Sequence, residues 1–186
     1  MKRLSSLLAM LLLIITGCNT DTGSKESSGT EQPIKEVAEQ PNSMPEEMPA
    51  MFDFLVRFGY GEVAKNEVNT YQDTVTKDLV VKGTATADIT LSMDEMRSIY
   101  EKMREINIMG TKELVPTNSN CAKTPYMEDS WKISIDGETK TLTWSEKSCD
   151  TTDDAKQLLE LRNFIQHIVA SKDAYKALPE IEGGYD

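Results

Sequence analysis

The chain has 186 residues, with 31 acidic side chains against 20 basic ones, a net charge of −11 and a single histidine. That balance repels nucleic acid and anionic lipid, and no run of Lys or Arg forms a nucleic-acid stripe. One histidine without a cysteine cluster supplies no ligand set for zinc.

Lys2-Arg3 precedes a short apolar run, nine residues from Leu7 to Ile15 or twelve from Leu4. A spanning helix needs about 20 such residues, so the run reads as a secretory signal rather than a stop-transfer helix. It ends in Ile15-Thr16-Gly17-Cys18, the pattern of a bacterial lipobox. Cys18 is expected to receive a diacylglycerol thioether and become the first mature residue. The competing reading is an ordinary secretory signal with a chance Cys. Two acyl chains hold a protein at a bilayer where one only visits. Residues 1–17 are therefore expected to be a lipoprotein signal peptide, and the mature chain to be lipid-anchored on the extracytoplasmic face of the cell membrane. Loss of Lys2 and Arg3 with the leader leaves 18 basic against 31 acidic side chains, net −13. Solubility accounts for that charge, with a cationic peptide or polycation as the alternative partner.

Residues 19–50 carry four of the seven prolines and seven carboxylates, and the first aromatic residue of the chain is Phe52. Such a segment cannot bury enough apolar surface to offset chain entropy. Residues 18–50 thus read as the lipidated Cys and a disordered acidic linker, ending near Met51, and 51–186 as a single domain. As a coil, the linker spans roughly 30 Å.

Phe52, Phe54, Val56, Phe58 and Tyr60 alternate with other residues, which predicts a half-buried antiparallel strand. Glu67 to Val75 and Thr84 to Leu91 read as two further strands, with Lys77 to Gly83 left open as strand or loop. Ser92 with Glu95 is a capping-box pattern, and Met96, Ile99, Met103 and Ile106 then give one apolar stripe, so a helix runs from Met93 to about Asn107. Ser130 to Asp136 and Thr139 to Ser145 form a hairpin about Asp136-Gly137, which places Trp131 and Trp144 on one face. A last helix opens at Thr151 or Thr152, with the stripe Leu158, Leu161, Ile165 and Ile168, and Pro179 bars helix after Leu178. The expected fold class is α+β: an antiparallel sheet of about five strands with two helices packed on one face, although the helix between the third and fourth strands also permits a parallel neighbour.

With Cys18 lipidated, Cys121 and Cys149 are an even pair flanking the hairpin, and antiparallel pairing carries both toward its open end. In an exported domain they read as a disulfide pinning the polar Pro116 to Pro125 segment; a free or redox pair is the alternative.

The chemistry-bearing patterns fail on context. Gly59-Tyr60-Gly61-Glu62-Val63-Ala64 matches G-x-G-x-x-A, but the following residues read as strand where a dinucleotide fingerprint requires a helix, so no dinucleotide is expected. His167 has no nucleophile placed for it by sequence and reads as a helical surface residue. The acidic clusters, Asp150, Asp153 and Asp154, then Glu128 and Asp129, lack the spacing of a calcium loop. No catalytic residue, cofactor or metal ligand is assigned.

The lipobox, the acidic Pro- and Ser-containing tether, Tyr175-Lys176-Ala177-Leu178-Pro179 and Gly183-Gly184-Tyr185 together resemble small uncharacterised lipoproteins of Bacillus-type Gram-positive bacteria. The resemblance implies an outer-leaflet location and carries over no catalytic residues. The expected function is a non-catalytic binding or interaction module reaching a protein or peptide partner in the cell envelope. The alternatives are a small hydrolase working with carboxylates alone, or an inhibitor of an exported enzyme. Cys18→Ala is expected to shift the protein from the membrane pellet to the soluble fraction or leave it unprocessed; a leader-cleaved variant that stays fully pelleted sinks the lipid anchor.

Overall fold

A computed structural model describes residues 41–117 and 120–185. The expected leader, Cys18 and most of the expected linker lie outside the described residues.

The fold is α+β. Strand β1 (Phe52–Tyr60) carries the alternation that opens the domain, and β2 (Asn66–Asn69), β3 (Thr74–Asp78) and β4 (Thr84–Asp88) follow it as a meander. Helix α1 (Met93–Glu105) crosses back, and the hairpin of β5 (Met127–Ile135) and β6 (Glu138–Ser145) adds to the other side of β1. Helix α2 (Asp153–Ser171) and one turn, α3 (Asp173–Lys176), complete the order. The sheet order is β4-β3-β2-β1-β5-β6, antiparallel at every pairing. Val56 of β1 sits between Val68 of β2 and Trp131 of β5, so the apolar alternation stays in phase across three strands. A one-residue slip would turn every one of these side chains to water.

Both long helices cover that one face. Ile99, Tyr100 and Met103 from α1, and Leu158, Leu161, Ile165 and Val169 from α2, join Phe54, Val56, Trp131 and Ile133 in a single core. The Ser92 hydroxyl accepts from the Glu95 amide at 3.3 Å while the Glu95 carboxylate accepts from the Ser92 amide at 2.8 Å, completing the capping box. Thr152 caps α2 by accepting from the Ala155 amide at 3.2 Å. Lys172, just beyond α2, reaches Glu95 at 2.6 Å and ties the end of one helix to the start of the other. The opposite face is polar and open: Tyr71, Ser134 and Thr139 share a hydroxyl chain there, and Arg57 pairs with Glu67.

Three expectations need correction. The sheet has six strands, not five, because Glu67 to Val75 is two strands joined by a turn. The Thr70 hydroxyl accepts from the Phe54 amide at 2.8 Å, and Asp73 takes a left-handed φ of 51°, which Asp tolerates better than most residues. Nor does α1 introduce a parallel neighbour; β5 runs antiparallel to β1 along nine residue pairs.

The domain also begins before Met51. Met44 is only 4% exposed and belongs to the core, and Met48 packs against it. The Tyr100 hydroxyl donates to the Pro45 carbonyl at 2.8 Å, and Asn42 and Ser43 bond to the end of α1 through Arg104 and Asn107. Residues 41–50, assigned to the linker by composition, are thus a strap on α1, held by one buried thioether and a handful of polar contacts. Met44→Ala is expected to lower stability by about 2–4 kcal/mol, as for other buried Met truncations. Urea denaturation measures it, and an unchanged midpoint would place this strap outside the cooperative unit.

Candidate functional site

Strand β6 is the longer of the two sheet edges, and the hairpin geometry decides which of its backbone groups face outward. The Glu146 amide donates inward to Met127 at 2.9 Å, so even-numbered residues of β6 bond β5 and Thr143 and Ser145 direct their backbone groups out. No backbone partner meets those outward groups among the described residues. Alongside lies a groove of about 430 Å³, floored by Trp144 and walled by Leu114, Val115, Pro116 and Ala122. Val115 is 76% exposed, a large apolar side chain left at the rim.

At Pro116 the groove runs into a second concavity of about 400 Å³ that carries Glu113, Asp150 and Asp153. Helix α2 begins there, and Asp154 is committed elsewhere, to Lys112 at 2.9 Å and to the Glu113 amide at 2.6 Å. The two concavities adjoin at Pro116, one lined mainly by apolar side chains and the other bearing the carboxylates. No group of three His, Cys, Asp or Glu residues that could hold a metal ion occurs among the described residues.

The disulfide forms as the flanking positions suggest. Cys121 and Cys149 are bonded with their Cα atoms 5.4 Å apart, and Ala122 and Ser148 pair as an antiparallel bridge just beyond the hairpin. The link joins the segment before β5 to the one after β6 and so fixes the groove wall against its floor.

Behind the floor sits a charge pair that the sequence reading missed. Asp129 is fully buried on β5, and its Oδ2 accepts from Arg162 Nε on α2 at 3.2 Å. The guanidinium, itself 6% exposed, lies 5.1 Å from the Phe58 ring centroid and also donates to Asn163 at 2.9 Å. Burial pushes the Asp129 carboxyl up to about 6; the Arg162 charge, its hydrogen bond and the neighbouring Trp144 indole offset only part of that desolvation. Asp129 Oδ1 and Trp144 Nε1 both lack a hydrogen-bond partner of good geometry. The signal was present in the sequence. Asp129 shares the period-two face of Trp131, Ile133 and Ile135, and Arg162 stands beside Leu161 between Leu158 and Ile165.

The other candidates are dispersed. His167 is exposed on α2. Gly61–Val63 forms one 3-10 turn ending in a left-handed Ala64, with β2 following, so no long helix opens at the glycine-rich turn. Asp153 pairs with Lys156, whereas Asp129 is turned into the core away from Glu128.

The chain matches no protein-family model, no curated protein and no solved structure.

Among the described residues no helix is long and apolar enough to cross a membrane. For the buried pair, the pH dependence has a definite sign. Asp129 holds its proton more tightly folded than unfolded, so its contribution favours folding below about pH 4 and is lost as pH rises through about 6. A shift of this size corresponds to about 2–3 kcal/mol. Urea midpoints of the wild type and Asp129→Asn at pH 4 and pH 7 measure it: the wild type should lose stability relative to the variant over that interval, and parallel profiles would contradict the shift.

Proposed function

We propose that the protein is a lipid-anchored, extracytoplasmic binding module that takes an extended, amphipathic, cationic segment of a cell-envelope partner into the furrow beside β6. The observation that carries this reading is the coincidence of an open strand edge with an apolar groove that continues into three carboxylates. An added strand gains main-chain hydrogen bonds from the edge, while alternate side chains enter the groove. Apolar side chains would lie over Trp144 and beside Val115, and a Lys or Arg would reach Glu113 and Asp150, with Asp153 already paired to Lys156. The same acidic end disfavours an anionic segment.

The anchor is supported by the lipobox at Cys18, and an oxidising compartment by the disulfide. A lipid on Cys18 would keep the domain within a short chain's reach of the membrane surface, where exported partners emerge. A carboxylate hydrolase is the weaker reading, because the acidic residues of the furrow border an apolar groove instead of facing one another across an enclosed pocket.

A fluorescein-labelled hexapeptide of alternating Val and Lys is the probe. Its anisotropy should saturate with protein, and the Kd should rise with salt because the charges are exposed. Thr143→Pro removes one outward N–H from an edge position that tolerates proline, and should weaken binding about tenfold while leaving the fold intact. Glu113→Lys with Asp150→Lys should weaken it similarly and flatten the salt dependence. Saturable binding that none of these changes alters would remove the furrow as the site.

A further inference from the structure

We infer that a second site, the cleft where β1, β3 and β5 end against α2, binds a small organic carboxylate with a flat apolar body. Arg162 and Lys77 would hold the carboxylate, and the segment from Ile181 to Tyr185 covers the cleft.

The cleft has a volume of about 190 Å³ and is independent of the β6 furrow. Its charges are arranged unlike those of the surrounding acidic surface. Both carboxylates near it are already used. Asp78, 6% exposed, accepts from the Tyr185 hydroxyl at 2.5 Å and from the Val80 amide at 2.9 Å, with Lys65 at 3.9 Å. Asp129 is held by Arg162 from behind. The cations are less committed. Arg162 spends Nε on Asp129 and Nη1 on Asn163; no hydrogen bond engages Nη2 among the described residues, and the side chain lines the cleft. Lys77 also lines the cleft, with its Nζ 5.5 Å from the Tyr175 ring centroid, and makes no ion pair among the described residues. A nine-tenths-buried guanidinium with one nitrogen unengaged, lining the same cleft as a second cation, is a donor set for a planar oxyanion.

The walls select the body of that anion. Phe58 underlies the guanidinium, and Tyr60 and Tyr185 stand with ring centroids 5.0 Å apart. Apolar and aromatic walls with a few convergent polar groups are what a small-molecule site requires. The volume suits one ring with its carboxylate, not a peptide or a nucleotide.

The cover is held by few bonds. Val81 donates to the Glu182 carbonyl at 3.1 Å, Glu182 donates to the Leu79 carbonyl at 3.4 Å, and Tyr185 reaches across to Asp78 and receives a bond from Lys65 at 3.1 Å. Gly183 makes the crossing feasible: its φ is +91°, and a Cβ there would come within 2.7 Å of Val81 Cγ2. Only glycine fits both constraints. Lys82 adds an ion pair to Glu182 at 2.6 Å, and no residue from Ile181 to Tyr185 belongs to the apolar core, so opening the cover would break only these surface contacts.

Equilibrium dialysis of the full chain against benzoate tests the site, with benzamide as the uncharged match in shape. One benzoate per chain should bind saturably, and benzamide should bind at least about tenfold more weakly because only the anion recruits the cations. Lys77→Gln, on a partly exposed strand end, should weaken benzoate about threefold or more. The double variant Arg162→Gln with Asp129→Asn removes both buried charges together, so neither is stranded, and should abolish uptake while unfolding remains cooperative. Gly183→Ala should weaken benzoate binding by loosening the cover. Absence of saturable uptake, equal affinity for benzamide, or an affinity indifferent to Lys77→Gln would each overturn the proposal. Should the double variant fail to fold, the benzamide comparison and Lys77→Gln decide it alone. The outcome is separate from that of the Val-Lys peptide, which reads the β6 furrow.

Discussion

Strand β1 places Phe52, Phe54, Val56 and Phe58 on one face and is hydrogen-bonded along both sides, to β2 and to β5. Burying that face obliges every neighbouring strand to keep the same phase, and it obliges α1, α2 and the strap carrying Met44 to cover the same side. Both long helices share that face, which leaves the other to Thr, Ser and paired charges. A sheet built outward from a central strand must also end in two edges. One edge, β4, is five residues long; the other, β6, is eight and borders the furrow. The candidate binding surface is thus a consequence of where the sheet stops, and the disulfide gives that edge a fixed wall.

The Asp129–Arg162 pair connects the core to the second candidate site. A buried ion pair is expensive to desolvate and contributes little to net stability by itself. Here the same guanidinium also lines the cleft of the second candidate site. Asp129 anchors Arg162 from one side and Phe58 stacks near the guanidinium, so the side chain lining the cleft has little freedom left to lose. Preorganised donors bind more tightly than mobile ones because the ordering cost is met during folding. The incomplete satisfaction of Asp129 and Trp144 fits a site whose geometry serves the arginine more than the pair.

Legibility from sequence followed the range of the interactions. The capping box, the alternation of β1, the Asp136-Gly137 hairpin and the Cys121–Cys149 bridge are visible because each is encoded within a few residues or by elimination. The turn after Asn69 was hidden because Thr70 and Tyr71 carry strand propensity; what breaks the strand is a tertiary bond from Phe54 to the Thr70 hydroxyl. The strap was hidden because composition judges a segment by its own apolar content, whereas Met44 is ordered by a pocket that α1 supplies. Asp129 and Arg162 lay on the right faces to be found, but a single polar residue on an apolar face acquires meaning only when its partner is known to lie opposite.

By itself, the sequence determined the α+β class, the helix starts, the hairpin register and the cysteine pairing, since period, caps and turn chemistry act locally and survive without knowledge of the partner elements. Tertiary structure alone decided the sixth strand, the order of the sheet and the membership of Met44 and its strap in the domain. It also decided which strand edge stays open, where an apolar groove adjoins three carboxylates, and that Arg162 meets Asp129 inside the core. Each of these depends on groups far apart in the chain being brought within contact distance, and no local pattern carries that information.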